Sequence, residues 1–213
     1  MSDVTLYDFW RSSASYRVRI ALNLLGISYK AVPVDLLKKG HRDPDHLARN
    51  PQGLVPAIDI DGHTLTQSVA ILEYLAETRE GSGLLPGSIQ DKTRIRTLSY
   101  AIAMDIHPIC NLIVISHVMS QSDDPDQARL DWMSKFIGQG LAGLEGLLDH
   151  SSTGDFCHGD TPTMADCCLV PQMFNANRWG VDVSGFTTIN RITANCAKIP
   201  AFAAAHPDQI GPP

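Results

Sequence analysis

The sequence predicts an α/β domain of order βαβαββα followed by an all-helical domain. Three observations carry this reading. Hydrophobic spacing alternates between period 2 and period 3.6 through the first third of the chain, Asp61-Gly62 sits between two short strand-like runs, and no convincing strand pattern follows the Gly, Ser and Pro cluster at residues 81–88. The cluster is of the kind that joins domains, which gives expected domains at 1–82 and 88–213. With 213 residues, 44% of them hydrophobic, the chain can bury one sizeable core or two modest ones, and it is long enough for two domains.

Residues 4–9 read as a strand. After the polar turn Arg11, Ser12, Ser13, the spacing Val18, Ala21, Leu22, Leu25 is helical and stops at Gly26. Residues 29–34 read as a second strand, and the stretch to Asn50, broken by Gly40 and Pro44, holds at most a short helix. Residues 57–60 and 64–66 flank Asp61-Gly62, a dipeptide suited to a type I′ hairpin because both central residues need positive φ. Ser68 is expected to cap a helix reaching about Glu77, with Val69, Leu72 and Ala76 on one face.

In the second domain Ile95, Leu98 and Ile102 mark a helix expected to run to about Met119 and to bend at Pro108, which frees a carbonyl. Another helix follows Asp124-Pro125 and ends near Asp149. Thr163 and Asp166 form a capping box opening a buried helix, because the Asp166 carboxylate at N3 can reach back to the cap's own N–H. Residues 187–199 and 201–206 supply the final helices, stopped by Pro200 and Pro207.

A formal net charge of −6 and a pI near 5.7 provide no global basic field, so neither nucleic acid nor an anionic membrane is an expected partner. Any anionic ligand must be held locally. The opening MSDVTLYDFW lacks the basic region and apolar run of a signal peptide, and no run of about 18 uncharged apolar residues occurs, so a soluble cytoplasmic protein is expected. Five cysteines at irregular spacing, without CxxC, read as reduced thiols. Adjacent Cys167 and Cys168 read as small core residues, and no metal site is expected.

Residues 11–15 put three hydroxyls and a guanidinium where a strand ends and a helix begins, so unpaired helix N–H groups and the positive dipole end face outward. Such a turn is either a plain helix cap or an anion site. A thiolate is one anion it would favour, because a hydroxyl and a helix N-terminus both lower a thiol's pKa. No cysteine stands in the turn, so a reactive thiol must come from a ligand. Val55-Pro56, ahead of the hairpin, is either a trans strand-entry proline or a cis bond that turns Val55's backbone outward toward a peptide ligand. Gln67-Ser68, at another helix N-terminus, suits a carboxylate.

The segments FWRSSASYRVRIAL, NPQGLVPAIDIDG and TQSVAILEYL together resemble the zeta class of the glutathione transferases. The resemblance continues through DIHPICN, GDTPTMADCCLVPQ and NRWGVD, nearly the whole chain. It implies the glutathione transferase fold, a thioredoxin-like N-terminal domain followed by a helical bundle, and a two-fold homodimer. The class turn usually reads SSCS. Here Ala14 stands where cysteine is common, which removes thiol exchange at the turn and leaves the serines.

Carried over by position, the resemblance implies that Ser12 or Ser13 donates to the glutathione sulfur. Ser13 is the first choice as the nearer to the helix start, and the other serine is a cap. Val55 would pair with the cysteinyl backbone, and Gln67 and Ser68 would hold the γ-glutamyl carboxylate. His41, His107 and Asn111 fall where the class places glutathione-contacting polar residues, and Gln52 lies beside them.

The class includes maleylacetoacetate and maleylpyruvate isomerases, which implies reversible addition of a glutathione thiolate to a cis double bond, with glutathione as an unconsumed cofactor. The dicarboxylic keto acid and its developing enolate need cationic partners, for which Arg11 and Arg178 are the candidates. On residues alone Arg178 equally fits a solvated helix-end arginine. Arg17 and Arg19 read as structural ion-pair residues. The same site suits conjugation of α-halo acids or other small electrophiles, and a non-catalytic glutathione-binding module is the remaining alternative.

Overall fold

The computed structural model describes residues 4–212; residues 1–3 of the opening segment and residue 213 lie outside the described residues. By packing density the chain divides into two compact units, Met1–Leu85 with Ala197–Pro213, and Pro86–Cys196.

The first unit opens with β1 (Thr5–Asp8), whose alternating side chains bury Leu6 and Asp8. There follow α1 (Ser13–Leu24), β2 (Lys30–Pro33), a 3-10 turn at Gly40–Arg42, α2 (Pro44–Arg49), β3 (Ala57–Ile60), β4 (His63–Thr66) and α3 (Ser68–Thr78). The sheet order is β2-β1-β3-β4, with β1 parallel to β2 and both remaining pairs antiparallel. Asp61 and Gly62 have φ of 53° and 78°, as a type I′ hairpin requires. The buried face of α3 is Ser68, Ile71, Leu72 and Leu75, one position round from the expected Val69, Leu72, Ala76 face.

In the second unit α4 (Ile89–Tyr100) starts at a Ser88/Asp91 capping box. The helix expected to reach Met119 does not continue through Pro108. Its backbone widens to a π turn at Ala101–Ile106, tightens to a 3-10 turn at Pro108–Cys110 and restarts as α5 (Leu112–Ser120) with Asn111 as a new N-cap. Pro108 has no N–H to donate, so bending alone does not restore the ladder. Instead the His107 N–H reaches back five residues to the Ile102 carbonyl at 2.9 Å, and Trp132 Nε1 donates to the Ile109 carbonyl at 2.8 Å. Residues 89–120 are apolar enough to match a membrane span by length and composition, but this break interrupts them and Ile95, Leu98, Ile102, Ile106 and Ile115 are buried in the core.

The remaining helices are α6 (Pro125–Leu148), α7 (Met164–Arg178), α8 (Thr187–Ala197), α9 (Pro200–Ala205) and α10 (Pro207–Ile210). Glu145 on α6 caps α8, accepting from the N–H groups of Thr188 at 2.7 Å and Ile189 at 2.9 Å. Pro200 and Pro207 occupy first-turn positions and so open helices as well as ending the preceding ones.

The last helices group with the first unit, where α9 packs on α1. The same packing explains why α1 is buried all round, including Arg17 and Arg19, where the sequence shows a single apolar face. Asn23 Nδ2 and Arg19 Nε donate to the carbonyls of Ala201 and Ala205, both at 3.1 Å.

The Thr163/Asp166 capping box is present, and both Asp166 oxygens are used inside the core. One accepts from the Cys157 N–H at 2.9 Å, the other from the Thr163 N–H at 2.8 Å. Asp166→Ala removes the acceptor for both buried donors and should lower the free energy of unfolding by about 2–4 kcal/mol. Urea denaturation measures it, and a loss under about 0.5 kcal/mol would mean that the start of α7 does not depend on this carboxylate.

Candidate active site

The turn before α1 is closed by the Ser12 N–H on the Phe9 carbonyl at 2.8 Å. Ser12 is the N-cap, in extended conformation, and its Oγ accepts from the Ser15 N–H at 3.2 Å. Ser13 is the first helical residue and is only 6% exposed. The cap is therefore Ser12 rather than its neighbour. Accepting the Ser15 N–H leaves the Ser12 hydroxyl proton available to donate elsewhere, since a hydroxyl does both at once. The Arg11 guanidinium lies 4.7 Å from the Trp10 ring centre, and its Nε is buried without a hydrogen-bond partner.

A second wall comes from the loop after α2. The sheet ladder begins at Ala57, and the preceding Val55-Pro56 bond is cis. Asn50 Nδ2 and His46 Nε2 bind the Leu54 carbonyl at 2.8 and 2.9 Å, fixing the peptide next to Val55. A carbonyl only accepts, so the His46 ring carries its proton on Nε2. Gly53 needs to be glycine twice over: its φ is 62°, and a Cβ there would lie 3.0 Å from both the His41 carbonyl and the Arg42 guanidinium. His41 thus sits against this loop. Burial, with Arg42 adding repulsion, lowers its pKa, so the ring is neutral at neutral pH, and its Nδ1 is buried without a partner.

Gln52 Oε1 accepts from Gln67 Nε2 at 2.7 Å, which joins the loop to the start of α3. The expected cap at Ser68 is not formed. Gln67 occupies the N-cap position at φ 67°, with no side-chain cap, while Ser68 is the first helical residue and its Oγ accepts from Arg17 at 3.1 Å. Ser68 therefore sits one residue past the N-cap position from which a hydroxyl accepts the N2 or N3 N–H. Without a side-chain cap, the N-terminus of α3 keeps its N–H groups and positive dipole end for a ligand. A non-glycine residue held at positive φ is the kind of strain found where a side chain is aimed for binding. The first unit therefore brings Gln52, Gln67 and Ser68 together, ties them through Arg17 to α1, and seats His41 on the loop that leads to Val55.

The helical unit holds the other candidates. His107 ends the π turn, and Asn111 Oδ1 is occupied as the cap of α5, accepting from the N–H groups of Ile113 and Val114 at 3.0 Å. Arg178 ends α7 with its guanidinium 4.6 Å from the Trp179 ring centre, and Arg129 lies 5.1 Å from the same ring. A cavity of about 450 Å³ between α4 and the end of α6 is lined by Ile89, Thr93, Arg94, Leu98, Leu147 and His150, none of them a candidate. Its cation is committed to structure, since Arg94 binds the Cys157 carbonyl at 2.8 Å and the Thr153 hydroxyl at 2.7 Å.

Sequence reasoning missed His46 and Asn50, whose roles act on a carbonyl eight and four residues away. Asn50 ahead of Pro51-Gln52-Gly53 reads as an ordinary turn asparagine, and only the buried loop gives it a second function. The five cysteines are all buried, and none forms a disulfide. Burial raises the Cys110 thiol to about 11 and pushes those of Cys157, Cys167 and Cys196 up as well, so they are poor sources of thiolate.

Residues 2–77 match the family model for the glutathione S-transferase N-terminal domain. Over 211 residues, 99% of each chain, the sequence is 63% identical to maleylacetoacetate isomerase of Rhizobium meliloti strain 1021. It is 39% identical to a maleylpyruvate isomerase described as a bacterial zeta-class glutathione S-transferase, whose holo structure superposes with a TM-score of 0.93 over 96% of this chain and 97% of that one. Maleylacetoacetate isomerase of Methylobacterium extorquens AM1, with bound malonate and glutathione, is 41% identical with a TM-score of 0.91 over 96% and 97% of the two chains. The chain therefore belongs to the zeta class of the glutathione transferases, the class of the maleylacetoacetate and maleylpyruvate isomerases.

Proposed function

We propose that this protein is a glutathione-dependent cis–trans isomerase of a maleyl keto acid, maleylacetoacetate or maleylpyruvate. The observation that carries this reading is the pair of helix N-termini in the first unit, one rimmed by Ser12, Ser13 and Arg11, the other without a side-chain cap at Gln67 and Ser68. The buried, unpartnered Arg11 Nε and His41 Nδ1 suit the polar, anionic glutathione. Relatives sharing 63% and 39% of the sequence carry the two isomerase names.

Bound glutathione supplies a thiolate that adds reversibly to the alkene carbon β to the ketone, so that the former double bond turns as a single bond before the thiolate leaves. The residues of the chain do the rest. The N-terminus of α1 and one serine hydroxyl lower the thiol pKa, and Ser12 is the favoured donor, being half-buried with its hydroxyl proton free, while Ser13 is buried. Gln67, Ser68 and the start of α3 hold the γ-glutamyl carboxylate, Val55 meets the cysteinyl backbone, and His41 and Gln52 complete the wall. His107 is assigned to the glutathione side of the helical unit, and Asn111 keeps that assignment through its amide rather than its committed oxygen. Arg11 and Arg178 hold the substrate carboxylates and the charge developing on the ketone oxygen.

We further place the enzyme in the cytoplasm, which suits five cysteines without a disulfide, and as a homodimer, which suits the exposed apolar side chains Met104, Leu112 and Ile113. Sedimentation should give twice the 23.2 kDa chain mass at micromolar concentration; a 23.2 kDa species would remove the dimer.

Loss of each cis acid, followed with and without glutathione, tests the activity. Isomerisation of at least one acid only when glutathione is present is expected, and the faster acid names the substrate. A persistent thioether on an α-halo acid, with both cis acids untouched, would instead assign a conjugating transferase.

Ser12→Ala should raise the pKa of bound glutathione and cut turnover near neutral pH, with partial recovery as pH rises, because the thiolate then forms without help. Ser13→Ala should have the smaller effect. Thiolate absorbance titration with bound glutathione reads both, and two unmoved titrations would leave the turn as a helix cap only. Arg11→Ala and Arg178→Ala should each lower kcat/KM for the dicarboxylate by about 1–3 kcal/mol. Unchanged kinetics in both would take these arginines out of the site.

A further inference from the structure

We propose that Arg19 is a positioning residue of this reaction, holding from inside the fold the peptide that carries the serine turn and tying that turn to the C-terminal segment. Arg19 is fully buried and sends its guanidinium donors in three directions. One nitrogen binds both Asp8 oxygens at 2.8 and 2.7 Å, the other terminal nitrogen binds the Trp10 carbonyl at 2.9 Å, and Nε binds the Ala205 carbonyl at 3.1 Å.

Asp8 and Trp10 flank Phe9, whose carbonyl accepts the Ser12 N–H and closes the turn. One rigid planar group therefore clamps the chain on both sides of the residue that fixes Ser12. A buried ion pair would need only Asp8. The bonds to Trp10 and Ala205 go beyond charge neutralisation and are placed where they set the path of the backbone into the turn. The C-terminal end of this clamp is itself held, since the Tyr16 ring meets His206 edge to face at 6.0 Å and Asn23 binds the Ala201 carbonyl. A helix N-terminus and a hydroxyl stabilise a thiolate only at hydrogen-bond geometry, so a small shift of the turn weakens them without removing any ligand contact. Arg19 acts through Trp10 and Phe9 and reaches no reacting atom.

This inference rests on the reading that the serine turn faces the thiolate, and the test separates the two. Arg19→Lys keeps a charge opposite Asp8, but a single ammonium does not span three directions. The double variant Asp8→Asn with Arg19→Gln removes both charges, so it folds without a lone buried ion if Arg19→Lys alone does not accumulate. For each folded variant, below its melting temperature, three quantities are measured: the ionised fraction of bound glutathione at fixed neutral pH by thiolate absorbance, kcat against KM, and the affinity for S-methylglutathione, which has no thiol proton.

The expected result is a several-fold smaller thiolate fraction and a roughly tenfold lower kcat, with S-methylglutathione affinity changed less than about twofold. A lower melting temperature with an unchanged thiolate fraction would make Arg19 structural only and overturn the proposal. Ser12→Ala and Ser13→Ala are run beside it. A loss of thiolate in a serine variant but in neither Arg19 variant overturns the positioning role alone, and no loss in any variant overturns the serine reading and the proposal together.

Discussion

The first unit depends on a carboxylate placed where a strand would ordinarily put an apolar residue. Alternation along β1 sends Asp8 inward with Leu6, and a lone charge there would be costly. Arg19, two turns into α1, supplies the partner, and because α9 crosses the other side of α1 the guanidinium has no route to water. Breaking a buried pair of this kind costs about 3–5 kcal/mol, because the remaining ion stays buried. The first strand, α1, the turn between them and α9 consequently share one set of hydrogen bonds.

On this base the two helix N-termini are treated differently. Ser12 caps α1 with a hydroxyl that still has a proton to give, whereas α3 has no side-chain cap because its N-cap is Gln67, at positive φ with its side chain linked to Gln52. The first arrangement suits a sulfur anion, which needs one donor and a dipole. The second suits a carboxylate, which takes several N–H groups at once. The chain's own thiols are buried, and burial raises those of Cys110, Cys157, Cys167 and Cys196, which makes a ligand the better source of thiolate.

Much of this was legible because short-range chemistry determined it. The Asp61-Gly62 hairpin, the Thr163/Asp166 box and the helix start at Ser12 and Ser13 each follow from side chains within four residues of one another. What was not legible depends on partners far along the chain. Ser68 reads as a cap, but it lies inside the first turn of α3 and its hydroxyl accepts from Arg17, 51 residues away. Arg19 reads as a structural ion-pair residue, and its further bond to the Ala205 carbonyl, 186 residues away, is not visible in the sequence. The break at Pro108 lay between these cases: the proline was visible, but the choice of π and 3-10 turns over a simple bend depended on a restart at Asn111 and a donor from Trp132. Family resemblance supplied the ligand and the roles proposed for His41, His107 and Arg178, none of which local pattern alone could assign.

The central claim is that glutathione acts as a catalyst returned unchanged at each cycle, and counting turnovers against glutathione tests it most directly. With enzyme and cis keto acid in large excess over glutathione, the account predicts complete conversion to the trans acid, many product molecules formed per glutathione, and full recovery of the free thiol at the end. Conversion that stops when product equals the glutathione supplied, with the thiol recovered as a thioether, would contradict it.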